Sequence, residues 1–247
     1  MLNDPIKRNF NQISTNTSRR NPWVTMNAAV LFSGGKDSVY ATFLAKKHGL
    51  TISCLLTMFS ENKESYMFHT PSITKVEKQA EMMDLPLLIQ ITKGEKESEL
   101  ADLEHIIKHA RDDFDVQAII TGAVESAYQA SRVQQICNRL SIDCFNPLWQ
   151  KDQLELLKEI IEHGFDVIIT GVFAYPLTDE WLGRHIDNTF LTEVKNLQDK
   201  YQINPAGEGG EFESLVVNCP LFTRPLMIKD SKTTGKGNSW SMEVELE

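Results

Sequence analysis

The sequence predicts an α/β protein: a doubly wound, mostly parallel sheet followed by a smaller C-terminal α+β domain. Three observations carry the prediction. From Asn27 onward, short apolar runs alternate with amphipathic stretches at helical spacing, the pattern of parallel strands covered by helices on both faces. About five such β/α units fit before Pro147, the usual content of a doubly wound sheet. After Pro147 the rhythm loosens into one more helix, one more strand and a mixture of Gly, Pro and isolated apolar stretches. The expected division is an extension over 1–25, a first domain over 26–149 and a smaller one over 150–247.

Residues 1–25 are rich in Asn, Ser, Thr and Arg with little apolar periodicity, and read as an extension or a start ahead of Met26. The run 28–32 is the first strand. A Gly-containing turn follows, then a helix with Val39, Tyr40, Phe43 and Leu44 on one face, closed by Gly49 as a C-terminal cap. Residues 52–58 form a second strand. Thr74 and Glu77 have capping-box spacing at the head of a helix whose Val76, Ala80 and Met83 share one side. Strands over 87–91, 118–121 and 142–145 alternate with a helix carrying Leu103, Ile106, Ile107 and Ala110, then one carrying Val133 and Ile136. Leu154, Leu157, Ile160 and Ile161 mark a further helix, and 167–170 a further strand. The tract 233–238 reads as a low-complexity tail.

Composition narrows the function classes. With 41% hydrophobic residues the chain suits a water-soluble core, and no apolar stretch reaches the ~20 residues of a membrane helix. The start lacks the apolar segment of a secretory signal, so a cytoplasmic protein is expected. Cys54, Cys137, Cys144 and Cys219 contain no C-x-x-C pair and suggest neither a disulfide framework nor a zinc ribbon. A net charge of −9 argues against broad nucleic-acid binding, which depends on Lys and Arg neutralising phosphates. It suits a basic protein partner, although such a surface ordinarily serves solubility.

The segment that carries chemistry is Ser33-Gly34-Gly35-Lys36-Asp37-Ser38, between a buried strand and a helix. Adjacent glycines let the backbone turn tightly and present N–H groups to an anion, while the helix N-terminus adds partial positive charge. Ser33 and Ser38 donate hydroxyl hydrogen bonds, and Lys36 is a point charge suited to pyrophosphate. Asp37 is the odd member: a carboxylate beside phosphates needs a bridging cation, which argues for Mg²⁺. The bland alternative, a capped strand-to-helix turn, accounts for fewer of the six residues. Neither G-x-x-x-x-G-K-[ST] nor G-x-G-x-x-G occurs here.

Residues 33–38 resemble the PP-loop of the ATP pyrophosphatase superfamily, which adenylates a carboxylate or carbonyl and lets a nucleophile displace AMP. Three further segments resemble the diphthine-ammonia ligase family: Ser60-Glu61-Asn62-Lys63-Glu64-Ser65-Tyr66-Met67-Phe68-His69, Glu180-Trp181-Leu182-Gly183-Arg184 and Gly207-Glu208-Gly209-Gly210-Glu211-Phe212-Glu213. With Gly122 and Tyr128-Gln129-Ala130-Ser131-Arg132 they extend the resemblance over about 27–222. It implies a HUP/Rossmann-like fold and ATP as cosubstrate. It also implies adenylation of diphthine, a modified histidine on translation elongation factor 2, ammonium as nitrogen source, and AMP and pyrophosphate as products. An enzyme acting on another carboxylate or on tRNA, and a non-catalytic adenine-nucleotide sensor, are the alternatives.

The candidate residues follow. Ser33, Gly34, Gly35, Lys36, Asp37 and Ser38 form the ATP loop, with Met58 facing the adenine through its backbone and Gly122 bordering the nucleotide. Lys36 and Asp37 also count as catalytic, Asp37 as the metal ligand. Asn62, Tyr66 and His69 lie just past the second strand, at the sheet edge where open α/β folds bind ligands, and are candidates for the substrate. Glu208 and Glu211, on a loop with Gly209 and Gly210, supply the anionic groups that ammonium capture or deprotonation requires. An acidic surface turn is the ordinary alternative. Arg184 suits a carboxylate or phosphate, whereas Trp181 and Leu182 are expected to anchor the second domain on the first. His48, His105, His109 and His163 lack metal-ligand spacing and receive no role.

Overall fold

A computed structural model describes residues 26–61, 73–94 and 96–247. The expected extension over 1–25 and the candidates Asn62, Tyr66 and His69 lie outside the described residues. The chain divides into two compact units, Met1–Ser33 with Asp37–Trp149, and Gly34–Lys36 with Gln150–Glu247.

The first unit holds a five-stranded parallel sheet, formed by β1 (Asn27–Leu31), β2 (Thr51–Ser60), β3 (Leu87–Thr92), β4 (Ala118–Ile120) and β5 (Asp143–Phe145). Their order is β3-β2-β1-β4-β5. Helices α1 (Lys36–Lys47), α2 (Ile73–Met83), α3 (Lys96–Phe114) and α4 (Ala127–Leu140) connect them, giving the α/β doubly wound class expected. Leu103, Ile106, Ile107 and Ala110 of α3 recur at three- and four-residue spacing. They are buried against Leu56 and Met58 of β2 and Val133 and Ile136 of α4 in one apolar core. The chain leaves β1 toward β2 on one side and returns to β4 on the other. That reversal puts a switch point at the carboxyl ends of β1 and β4, where such sheets bind ligands.

Two local expectations need correction. α2 begins at Ile73, so Thr74 sits inside its first turn rather than at the cap, although Val76, Ala80 and Met83 are buried as expected. β2 runs two residues beyond the expected end at 58, because Phe59 and Ser60 continue to pair with Ile91 and Thr92 of β3.

The second unit is built on an antiparallel sheet of order β7-β6-β9-β8, from β6 (Asp166–Val172), β7 (Phe212–Asn218), β8 (Ile228–Lys236) and β9 (Ser239–Leu246). α5 (Gln153–Glu162) and α6 (Asn188–Tyr201) accompany it. Helix α6 was not foreseen. Its signals are Asp187, whose carboxylate accepts the Phe190 N–H at 2.8 Å, and buried Phe190 and Val194 four residues apart. The expected low-complexity tail over 233–238 is instead a hairpin. Lys236 pairs with Ser239 across the two-residue turn Gly237-Asn238, and Gly237 takes φ +63°, as a Gly-led two-residue hairpin turn requires.

Candidate functional site

The loop after β1 is held by hydrogen bonds of its own. The Phe32 N–H donates to the Leu56 carbonyl at 2.8 Å, and the buried Thr57 hydroxyl donates to the Phe32 carbonyl at 2.7 Å. Ser33 N–H donates to the Ser38 hydroxyl at 3.2 Å, and the two hydroxyl oxygens also lie 3.2 Å apart. One hydroxyl thus staples the loop to the first turn of α1. Gly34 has φ +78°, a left-handed conformation costly for any residue with a Cβ.

Gly122, just past β4, explains itself by space. A Cβ there would lie 2.8 Å from the Asp37 carbonyl carbon and 2.8 Å from the Ser38 nitrogen. Only glycine lets the chain after β4 approach the start of α1 so closely. Thr121 sets that approach: its hydroxyl donates to Asn146 Oδ1 at 2.6 Å and accepts the Ala123 N–H at 3.2 Å.

Met58 is buried, with its side chain in the core beside α3. Its backbone faces differently. Leu56 turns its carbonyl toward the β1 side, and strand alternation turns the Met58 amide and carbonyl the same way, beyond the last β1 pair of Leu31 with Leu56.

In the second unit, Gly34–Lys36 is held by β7: the Val216 N–H donates to the Gly34 carbonyl, and the Lys36 N–H to the Ser214 hydroxyl, both at 3.2 Å. The Lys36 side chain is only 4% exposed. Its Nζ lies 5.6 Å from the centroid of the Phe212 ring and 3.9 Å from Glu208 Oε1. Phe212 stands edge-on to Phe190, and Phe190 to Trp181, so an aromatic row underlies the lysine. The 3.9 Å separation exceeds hydrogen-bond reach, so the ion pair orients the ammonium without closing on it.

Glu211 does different work from Glu208. Its Oε1 accepts the Asn204 backbone N–H at 2.9 Å and the Asn204 side-chain amide at 2.7 Å, while Oε2 accepts the Gly209 N–H at 2.8 Å. Both oxygens are engaged in a side chain that is 7% exposed. Gln153, at the start of α5, extends the clamp by donating to Asn204 Oδ1 at 3.2 Å and accepting the Ala206 N–H at 3.0 Å. A Cβ on Gly209 would come within 2.5 Å of Asn204 Nδ2 and 2.7 Å of Glu211 Oε1, and Gly210 has φ +81°. The glycines let the loop fold over its own carboxylate.

The site therefore gathers Glu208 and Phe212 around the Lys36 ammonium and Ser214 on the Lys36 backbone N–H, while Glu211 binds Gly209 and Asn204. Arg184 is engaged elsewhere: its guanidinium lies 4.4 Å from the centroid of Trp181 and donates to Glu193 Oε2 at 2.7 Å. Trp181, expected to join two domains, makes its described ring contacts within the second unit. Ser214, Asn204 and Gln153 were not foreseen, since each acts through a contact far along the chain and belongs to no local pattern.

The cysteines are not poised as nucleophiles. Burial pushes the thiol of Cys54 up to about 12 and that of Cys219 to about 11, and the hydrogen bond with Cys144, together with burial, raises that of Cys137. None of these three is a thiolate nucleophile at neutral pH. Among the described residues no three His, Cys, Asp or Glu side chains gather to hold a metal by themselves.

Residues 26–144 match the diphthamide synthase N-terminal domain and residues 152–245 the diphthamide synthase C-terminal domain. The chain belongs to the diphthamide synthase family. The family's N-terminal match covers residues 33–38 and Gly122, and its C-terminal match covers Arg184, Asn204 and residues 208–213. Among similar proteins, the diphthine–ammonia ligase of Danio rerio is 32% identical over 226 residues, covering 84% of this chain and 88% of its own length. That of Homo sapiens is 32% identical over 228 residues, 84% of each. That of Schizosaccharomyces pombe is 31% identical over 218 residues, which are 82% of this chain but 36% of the yeast protein. This chain thus spans about a third of the fission-yeast member and most of the vertebrate ones. A U34-tRNA thiolase from Methanococcus maripaludis, solved with its [4Fe-4S] cluster, superposes with a TM-score of 0.38 at 15% identity, over 75% of this chain and 71% of that one.

Proposed function

We propose that this chain is an AMP-forming ligase that converts diphthine to diphthamide with ammonia. Family membership sets the reaction class, and the observation that carries the reading is the buried Lys36 beside Glu208, on a loop stapled by Ser33 and Ser38. Diphthine is by its chemistry a histidine derivative whose carboxylate shares a carbon with a quaternary ammonium. In the first step that carboxylate attacks the α-phosphorus of ATP, and the bond to the β-phosphate oxygen breaks. Pyrophosphate leaves with the electron pair. The loop amides at Gly34 and Gly35, the N-terminus of α1 and the Lys36 ammonium stabilise the charge that grows on it. The adenine lies against the Met58 backbone, beyond the end of β1.

In the second step ammonia attacks the acyl carbon and AMP departs. Glu208, whose Oε1 lies 3.9 Å from the Lys36 ammonium, takes the proton released. Glu211 acts by holding Gly209, and with it the loop that carries Glu208. Asp37 is the residue that would hold Mg²⁺. A single carboxylate completed by phosphate oxygens and water is the ordinary donor set for this ion, so the residues present fit it. The ion supplies charge neutralisation on the phosphates. The protein substrate is elongation factor 2 and the compartment the cytoplasm; no described helix is long and apolar enough to cross a membrane.

The experiment is AMP and pyrophosphate release from ATP with ammonium, with and without diphthine-bearing elongation factor 2, beside Lys36→Met. Release that needs both factor and ammonium and falls about 100-fold or more in the variant supports the reading. ATP binding with no release in the presence of the factor refutes it.

A further inference from the structure

We propose that Tyr175 and Tyr201 form the site for the quaternary ammonium of the substrate side chain, an inference that rests on the ligase reading above. Because that cation and the activated carboxylate share a carbon, its site must border the one where the carboxylate reacts. A quaternary ammonium has no N–H to donate, so recognition falls to aromatic faces and nearby negative charge.

Three observations meet at this pair. The rings contact edge to face, with centroids 5.4 Å apart and planes at 86°, and Tyr175 is 63% exposed, far more than packing alone explains for so large a side chain. An ammonium already lies on the pair: Lys200 Nζ stands 4.9 Å from the Tyr201 centroid. Lys200, with the Tyr175 hydroxyl, holds the Tyr201 hydroxyl below its ordinary pKa. Lys200 stands at the exposed last turn of α6, from which its flexible stem can carry the charge back to water when a substrate cation arrives.

Glu211 connects the pair to the reacting loop. Its backbone carbonyl accepts the Phe173 N–H at 2.8 Å, two residues before Tyr175. Its side chain holds Asn204, three residues after Tyr201, and Gly209, the neighbour of Glu208. One residue therefore bonds two positions from Tyr175, three from Tyr201 and next to Glu208.

The test has two arms on the full chain. In the first, choline and its uncharged carbon isostere neohexyl alcohol are titrated while the ring resonances of Tyr175 and Tyr201 are followed, with no turnover involved. Choline is expected to shift both rings and the alcohol neither; Tyr175→Leu abolishes the response and Tyr175→Phe keeps it. In the second, turnover of the diphthine-bearing protein is measured. Tyr175→Leu is expected to raise KM roughly 2- to 30-fold at unchanged kcat, from the usual strength of a cation on an aromatic face. Tyr175→Phe restores it, and Lys200→Gln lowers KM by removing the competing ammonium. Equal responses to choline and the alcohol, or normal turnover with an unchanged KM in Tyr175→Leu, overturn the site and leave the ligase reading standing. Choline-specific shifts without any turnover support the site and overturn the ligase reading.

Discussion

Replacing Glu211 with glutamine separates two roles that a carboxylate beside a reacting centre can have. The side chain keeps its volume, so no cavity confuses the result. Glu211 now accepts three N–H bonds, two on Oε1 from Asn204 and one on Oε2 from Gly209. Glutamine offers a single acceptor oxygen. Placed toward Asn204, it turns an NH₂ group against the Gly209 N–H, losing one hydrogen bond to a charged acceptor, worth about 1.5–3 kcal/mol. The two bonds that survive fall from charged to neutral strength, roughly half. Glu211→Gln should therefore cost about 2–4 kcal/mol, a large part of a stability of about 5–15 kcal/mol. The assay is urea unfolding beside kcat and KM for both substrates. Asn204→Ala should cost less in the Glu211→Gln background than alone, with a coupling of about 1 kcal/mol or more. If kcat collapses while the unfolding midpoint stays in place, Glu211 is a proton carrier and the clamp argument is wrong.

Other outcomes follow from the same geometry. Gly122→Ala must push apart two backbone segments that leave only 2.8 Å for the new carbon. It should cost about 1–3 kcal/mol and weaken ATP binding, read by calorimetry; unchanged ATP affinity would contradict the close approach. Arg184→Ala removes a part-exposed ion pair with Glu193 and a stack on Trp181, so a loss of about 1 kcal/mol or less with unaltered KM is expected. A tenfold rise in KM would put the guanidinium on the substrate instead. At pH 8, with Cys54 near 12 and Cys219 near 11, roughly one thiol in a thousand or fewer is ionised at either position. The native protein should leave an aromatic disulfide reagent unreacted until denaturant exposes the thiols, and a fast native phase at either cysteine would refute the burial account.

What the sequence disclosed divides along a physical line. The first sheet and its loop were legible because each makes a demand on consecutive residues. Helix α3 must place Leu103, Ile106, Ile107 and Ala110 on one face, and residues 33–36 must turn tightly at Gly34, so both leave local patterns. The β8–β9 hairpin was misread as a tail, because the short Gly237-Asn238 turn signal was outweighed by the polar run around it. Other features leave no such trace. Asn204, Gln153 and Ser214 are ordinary polar residues whose partners lie 7 to 178 positions away: Glu211 on Asn204, the Ala206 N–H on Gln153 and the Lys36 N–H on Ser214. Glu211 shows the consequence. In sequence it is interchangeable with Glu208, two acids on one glycine-rich loop; in the structure one oxygen pair is saturated by N–H donors while the other faces an ammonium. Which of two neighbouring acids the backbone N–H donors engage is a property of the fold, not of the local sequence.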